Sequence, residues 1–292
     1  MTTGPSLKRT LARADRLLLP AVTGAALVLF AAETWVPLRP RVAARGPRTL
    51  RNGLFAVLSG VSMRWLVLPA LLSVARLSER ERRGLLPALV ELPEVVRWTV
   101  GVALLDLGIY GWHRMNHHLP LLWRFHRVHH ADPDLDVSTA FRFHPGEVLG
   151  SVVVRGLQVA LIGPSPSLLL TYELLLQLAS AFHHANLRVP LKLERALRLV
   201  LVTPRMHGAH HSIVAHEQNR NFAVLFSVWD RVFDSWGARF ESQPAELGLA
   251  ELQGTNELGA IRMLALPLRS PAVAGSGATQ RRPAVTMKEA LR

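Results

Sequence analysis

The chain has no cysteine among its 292 residues. Disulfides and thiolate metal sites are therefore excluded, and any metal must be held by His, Asp, Glu or Asn. Lysine is nearly missing as well. Only Lys8, Lys192 and Lys288 occur, so almost all of the positive charge is arginine. Charged residues of either sign make up only 19% of the chain, and the acidic ones are the scarcer: 21 against 34 basic, a net +13. Such an excess suits a polyanion or an anionic membrane surface. A polar basic face and a nucleic-acid reading motif are both lacking, which argues against nucleic acid. The arginines instead flank apolar runs, as residues at lipid headgroups do.

Hydrophobic residues make up 49% of the chain, and the mean hydropathy is +0.21. Long uncharged runs decide the class, because a membrane-crossing helix needs about 20 mostly apolar residues. Candidates are 17–38, 52–77, 95–112, 149–163 and 167–181. Lys8, Arg9, Arg13 and Arg16 precede the first run as in a signal peptide, but no small-residue cleavage site follows before Glu33 and Trp35. A retained first span is expected. Arg64 lies inside the second run and either divides it into a re-entrant hairpin or faces the bundle interior. Asp106 lies near the end of the third. Gly163-Pro164-Ser165-Pro166 reads as a tight turn between two helices. Both loops around the second run are basic, so the positive-inside rule does not fix the number of crossings.

The expected fold is all-α: an integral-membrane bundle of about four to five membrane-embedded helices under a histidine-rich helical cap facing the cytoplasm. Residues 1–94 would form the N-terminal membrane helices and 95–240 the catalytic domain. Residues 241–292 would be a tail, disordered from about 270 by its composition. Within the cap, 191–202 suits an amphipathic helix in the membrane interface or an ordinary surface helix.

All 13 histidines lie between His113 and His216. HRMNHH holds His113, His117 and His118. HRVHH holds His126, His129 and His130. HGAHH holds His207, His210 and His211. His144, the pair His183 and His184, and His216 complete the set. Residues i, i+3 and i+4 share a helix face, so each HxxHH motif is expected to aim at one place. Convergent imidazoles cannot all be charged at close range. Neutral imidazole is a ligand for iron, zinc, copper or nickel. Eight or nine such nitrogens exceed the needs of one ion, so two metals are expected. His216, a lone histidine, reads as a bystander.

At these residues the sequence resembles the fatty acid hydroxylase/sterol desaturase superfamily of integral-membrane enzymes, over about 106–234. The flanks agree too. Asp106 and Tyr110 precede the first box, and Leu122-Trp123-Arg124-Phe125 leads into HRVHH. Arg142-Phe143-His144-Pro145 with Glu147 follows. His184-Ala185-Asn186 precedes Thr203-Pro204-Arg205-Met206 and HGAHHS. Asn221-Phe222 and Trp229-Asp230 close the region. Two departures stand outside the boxes: Ala223 where the family usually has glycine, and Phe233-Asp234-Ser235 where it usually has Phe-Gly-Thr.

The resemblance implies a di-iron, O2-dependent hydroxylase or desaturase of a lipid. It places His113, His117, His126, His129, His130, His207, His210 and His211 as ligands, with His184 as the isolated histidine between the second and third boxes. His118, His144 and His183 are further candidates for the metals or their surroundings, as are Asn186 and Asn221. The carboxylates Asp106, Asp132, Asp136, Glu147 and Asp230 are expected to orient imidazoles. No flavin, haem or iron–sulfur motif is present. An external electron donor is therefore implied, a ferredoxin, cytochrome or reductase, and a basic cap suits an acidic one. The competing classes are a metal-dependent membrane hydrolase and a metal transporter or sensor. The hydrolase would need open coordination sites and a carboxylate base. The transporter would place its ligands within the spans rather than at their ends.

Overall fold

Three of the α-helices begin where a side chain supplies the cap. Helix α1 (Leu7–Trp35) starts at Ser6, whose side chain accepts from the Arg9 N–H. Helix α7 (Pro145–Ile162) starts at His144, whose Nδ1 accepts from the Gly146 N–H, and ends at Gly163 in the left-handed region (φ 66°). Two residues later Ser165 caps α8 (Pro166–His184) by accepting from the Leu168 N–H, with Pro166 at the first helical position. The Gly-Pro-Ser-Pro turn thus uses glycine to stop one helix and serine with proline to start the next.

The structure is a computed structural model describing residues 6–237, 243–244, 246–253 and 259–269. Every regular element among these is helical, with isolated β-bridges only. Helix α2 (Arg45–Ser62) continues through a π-turn (Met63–Val67) into α3 (Leu68–Glu81). Arg64 therefore neither splits the run nor faces the interior. It reaches Asp15 of α1 in a two-pronged ion pair, Nε–Oδ1 2.5 Å and Nη2–Oδ2 2.6 Å. A carboxylate on the neighbouring helix makes the arginine tolerable without breaking the rod.

A short helix α4 (Leu85–Ala88) follows, then α5 (Glu94–His118) and α6 (Pro120–His130). By length and composition, three stretches can cross a membrane: Leu7–Trp35, Arg45–Ala88 and Pro145–Ile162. Helices α5 and α8, the other expected segments, are less apolar. The first carries Glu94, Arg97, Asp106 and Arg114, the second Glu173, Gln177 and the His183–His184 pair. They pack among the candidate spans, α8 against α1, α3 and α5, and α5 against α7. Leu71, Leu72, Leu105, Val159, Leu169 and Tyr172 form the centre of the shared core.

One end of the bundle gathers the C-terminus of α1, the start of α2, the α5–α6 junction and the end of α8. Pro37 bridges Leu187 there, and the Arg39 N–H donates to Asn186. The remaining short elements close this end: α9 (Leu191–Leu197), α10 (Pro204–His210), α11 (Ala215–Gln218), α12 (Val228–Val232) and α13 (Ala260–Ala265). Part of the expected tail belongs to this packing, because Leu249, Leu252, Met263 and Leu266 share a cluster with Phe55, Val128 and Ala131. The expected disorder from about 270 lies outside the described residues.

Some arginines are buried, among them Arg48, which flanks an apolar run and was expected at the headgroups. Arg48, Arg127 and Arg142 are among the most buried large side chains. Arg48 Nη1 pairs with Asp132 at 3.0 Å, and its other amine pairs with Asp136. Arg142 Nε donates to the Val128 carbonyl at 3.0 Å and its Nη1 to Asn52 at 3.2 Å. These bonds tie α2 to the segment that follows α6.

Candidate metal centre

The histidine boxes sit on the last turns of α5, α6 and α10, with His184 ending α8. Four helix ends thus meet at one end of the bundle. Their histidines form two groups. His113, His117, His126, His130 and His210 make the first, and His129, His184, His207 and His211 the second. Within each, ligand atoms lie within 4.8 Å of one another.

Each HxxHH motif is therefore divided, not aimed at one place. In HRVHH, His126 and His130 face the first group and His129 the second. In HGAHH, His207 and His211 face the second and His210 the first. The cause is the helical repeat. Residues i and i+4 differ by about 40° around the axis, whereas i+3 and i+4 differ by about 100°. Two such helix ends, meeting end to end, trade their i+3 members. The His130 and His211 rings stack across the boundary at 4.3 Å.

Hydrogen bonds settle the tautomers of four rings. His113 Nδ1–H donates to the Phe222 carbonyl at 2.7 Å and His210 Nδ1–H to that of Arg220 at 2.8 Å. His184 Nδ1–H donates to the Ser180 carbonyl at 2.8 Å, and His126 Nδ1–H to Glu147 at 2.9 Å. A neutral ring that donates from Nδ1 carries a lone pair on Nε2. Burial, with neighbouring imidazoles adding to it, holds His129, His130, His207 and His211 well below the ordinary histidine range. Burial takes His210 down to about 3.

The Nε2 atoms then face one another. His113 and His210 are 3.1 Å apart at Nε2, His184 and His207 3.0 Å, His129 and His184 3.1 Å, and His207 and His211 3.1 Å. For His113 and His210 both Nδ1 protons are already committed, so two lone pairs point at each other. Only a cation relieves that arrangement. Two imidazole nitrogens about 2.1 Å from one ion, at a right angle, lie about 3.0 Å apart. Buried and without hydrogen-bond partners are also Nε2 of His117, His126 and His130. The donor set fits two metal ions, with five imidazoles offered to one and four to the other.

Around the rings, Phe143 stacks on His129 at 4.5 Å and Trp123 lies 5.1 Å from His117. Of the five carboxylates expected to orient imidazoles, Glu147 alone bonds one; Asn116 also reaches Glu147, at 3.3 Å. The others bond no imidazole. Asp106 accepts from Leu225 N–H, Phe226 N–H, the Trp229 indole and the Tyr172 hydroxyl. Asp230 accepts from Phe222 N–H, Ala223 N–H and Ser235, while burial pushes its carboxyl up to about 6. Asp132 binds Arg48, Asn52 and Thr139, and Asp136 caps the 3-10 turn Val137–Phe141. A buried carboxylate is as readily used to gather N–H groups as to hold a ring, and the spacing does not tell the two apart.

The remaining candidates lie outside both groups. His144 caps α7, and its Nε2 meets the Leu264 carbonyl. His183 is buried and donates to the Val224 carbonyl at 3.1 Å. His118 and His216 are exposed. Asn186 anchors Arg39 and Glu33, and Asn221 (φ 57°) bonds the Met206 carbonyl and the Gly237 N–H. What residue patterns missed are the ring-anchoring carbonyls of Phe222, Arg220 and Ser180, since every residue has a carbonyl.

The fatty acid hydroxylase family profile matches residues 98–235, just under half of the chain. That segment contains all nine clustered histidines. Residues 98–235 carry a fatty acid hydroxylase domain. Among curated relatives, an alkylglycerol monooxygenase of Danio rerio is 32% identical over 181 residues, 61% of this chain and 39% of the relative. An ornithine lipid hydroxylase of Rhizobium tropici is 26% identical over 60% of this chain and 51% of the relative. A cholesterol 25-hydroxylase of Mus musculus is 29% identical over half of each. The chain thus spans about half or less of these relatives' lengths, and the shared part carries the hydroxylase domain. No solved structure matches.

Proposed function

We propose that the chain is a membrane-bound, di-iron, O2-dependent oxidoreductase that hydroxylates or desaturates a lipid C–H bond. The observation that carries this reading is the convergence of lone-paired Nε2 atoms, above all His113 and His210 with both Nδ1 protons committed. Relatives named for action on an alkylglycerol, an ornithine lipid and a sterol support a lipid substrate.

In this reading the nine clustered histidines hold the metals, and Glu147 and the three carbonyls orient their rings. Two irons, when bound, supply the redox chemistry that couples O2 reduction to oxidation of an unactivated C–H bond. The chain's part is to keep nine imidazoles neutral and convergent and to exclude water with Phe143, Trp123 and Phe222. For hydroxylation, one oxygen atom enters the C–H bond and the other leaves as water. Two electrons and two protons come from outside, by way of a ferredoxin, cytochrome or reductase. The histidine end then faces the cytoplasm. The chain divides into membrane helices over 1–94, a catalytic domain over 95–240 and a tail over 241–292.

The test supplies 18O2 and a reducing system to membranes containing the protein, with alkylglycerols, an ornithine lipid, cholesterol and a total lipid extract offered separately. The expected result is one lipid product carrying a single 18O atom or lacking two hydrogens. Label entering from H2 18O instead, or no O2 uptake on any lipid, would sink the oxidase reading.

A further inference from the structure

The end of the bundle opposite the histidines holds a feature the oxidase chemistry does not use. A cavity of about 340 Å³ lies between the end of α3, α4, the start of α5 and the α7–α8 turn. That volume is at the lower edge of the usual range for small-molecule sites. Glu94 opens α5 and His113 is 19 residues further along it, which places this corner roughly 28 Å from the metal centre at 1.5 Å per residue. The two sites are separate.

Its lining is amphipathic. Leu86, Val90, Trp98 and Leu168 form an apolar wall, and Glu79, Arg82, Glu94 and Arg97 bring two negative and two positive charges to the same opening. Other charges of the bundle are paired, as Arg64 is with Asp15 and Arg45 with Glu33. Among the described residues the side chains of these four make no hydrogen bond or ion pair, and the Arg97 Nε is buried without a partner. Glu79, Arg82 and Glu94 are exposed and Arg97 is half-buried, so the opening offers both signs of charge to a ligand that enters it.

The backbone there is built rather than loose. Gly84 (φ 103°) and Gly163 (φ 66°) cross so closely that a Cβ on Gly84 would lie 2.6 Å from the Gly163 nitrogen. A Cβ on Gly163 would lie 2.3 Å from the Arg83 carbonyl oxygen. Only glycine permits both the approach and the conformation. Arg82, next to this crossing, is held in the left-handed region (φ 52°), an uncommon state for a residue with a side chain. The crossing fixes the 82–84 turn to the α7–α8 turn and so fixes the walls.

Position selects the ligand. Two of the three candidate spans, Arg45–Ala88 and Pro145–Ile162, end at this corner, where a bilayer surface would lie. We propose that the cavity binds a zwitterionic phospholipid, its phosphate between Arg82 and Arg97, its ammonium toward Glu79 and Glu94, and an acyl chain along Trp98 and Leu168. An anionic headgroup would meet the same arginines but also two carboxylates with no cation to offer them.

Full-length protein in detergent, exchanged into phosphatidylethanolamine, phosphatidylglycerol or acyl-free glycerophosphoethanolamine, tests this by native mass spectrometry. Phosphatidylethanolamine is expected to be retained at least about tenfold better than either of the others. Arg82→Ala with Arg97→Ala should lose that retention. Glu79→Gln with Glu94→Gln, which keeps the shape and removes only the negative charge, should turn the preference toward phosphatidylglycerol. Circular dichroism reports whether each variant is folded, and if the arginine pair is not, the glutamine pair decides. Equal retention of the two phospholipids would overturn the proposal, as would retention of the acyl-free headgroup equal to that of the lipid. So would unchanged retention in a folded arginine variant, or an unchanged preference in the glutamine variant.

Discussion

Replacing His129 or His210 by alanine is expected to abolish lipid oxidation while leaving the protein inserted in the membrane. Loss of an outer partner of a metal ligand typically costs 10–100-fold, so loss of a ligand itself should cost about 10³-fold or more. The two variants are expected to fail in different ways. His129 belongs to the group of four and His210 to the group of five, so each substitution should deplete a different ion and leave the other. His216→Ala, on an exposed site outside both groups, should leave turnover and metal content unchanged. Metal per chain and turnover, measured on the same preparations, check this. Full turnover in either His129→Ala or His210→Ala contradicts the site.

Arg48→Met is expected to destabilise the protein by about 3–5 kcal/mol, the range for removing one partner of a buried ion pair. Arg48 and both of its carboxylate partners are essentially excluded from solvent. Asp132 keeps Asn52 and Thr139, but Asp136 loses its only ion-pair partner among the described residues. The companion variant Arg48→Met with Asp136→Asn removes the stranded charge and should recover part of the loss, the coupling expected of neighbours in one network. Denaturation midpoints in a fixed detergent provide the check. A change below about 1 kcal/mol, typical of surface pairs, contradicts the role given to Arg48.

Arg48 also shows where sequence reasoning stops. In the sequence it is one of several arginines beside an apolar run, indistinguishable from residues that sit at headgroups. Its burial depends on Asp132 and Asp136, more than 80 positions away. The same limit governs the carboxylates. Asp106, Asp132, Asp136, Glu147 and Asp230 look alike in sequence, but what each one bonds is decided by which loop packs over it.

The histidines were legible because their spacing is local. A helix places i and i+4 on one face whatever surrounds it, so the pairs His113–His117, His126–His130 and His207–His211 each stay together. The division of each HxxHH motif was not legible, because it needs α6 and α10 to meet end to end. The α7–α8 turn was legible for the same local reason, since its glycine, serine and prolines act within four residues. Arg64 was not, because its partner Asp15 lies on another helix.

The central claim is that nine clustered imidazoles hold two metals. The measurement that tests it most directly is the metal content of the purified, membrane-derived protein by inductively coupled plasma mass spectrometry. The account predicts two iron ions per chain. One ion per chain, or none in protein that is folded and fully purified, would contradict it.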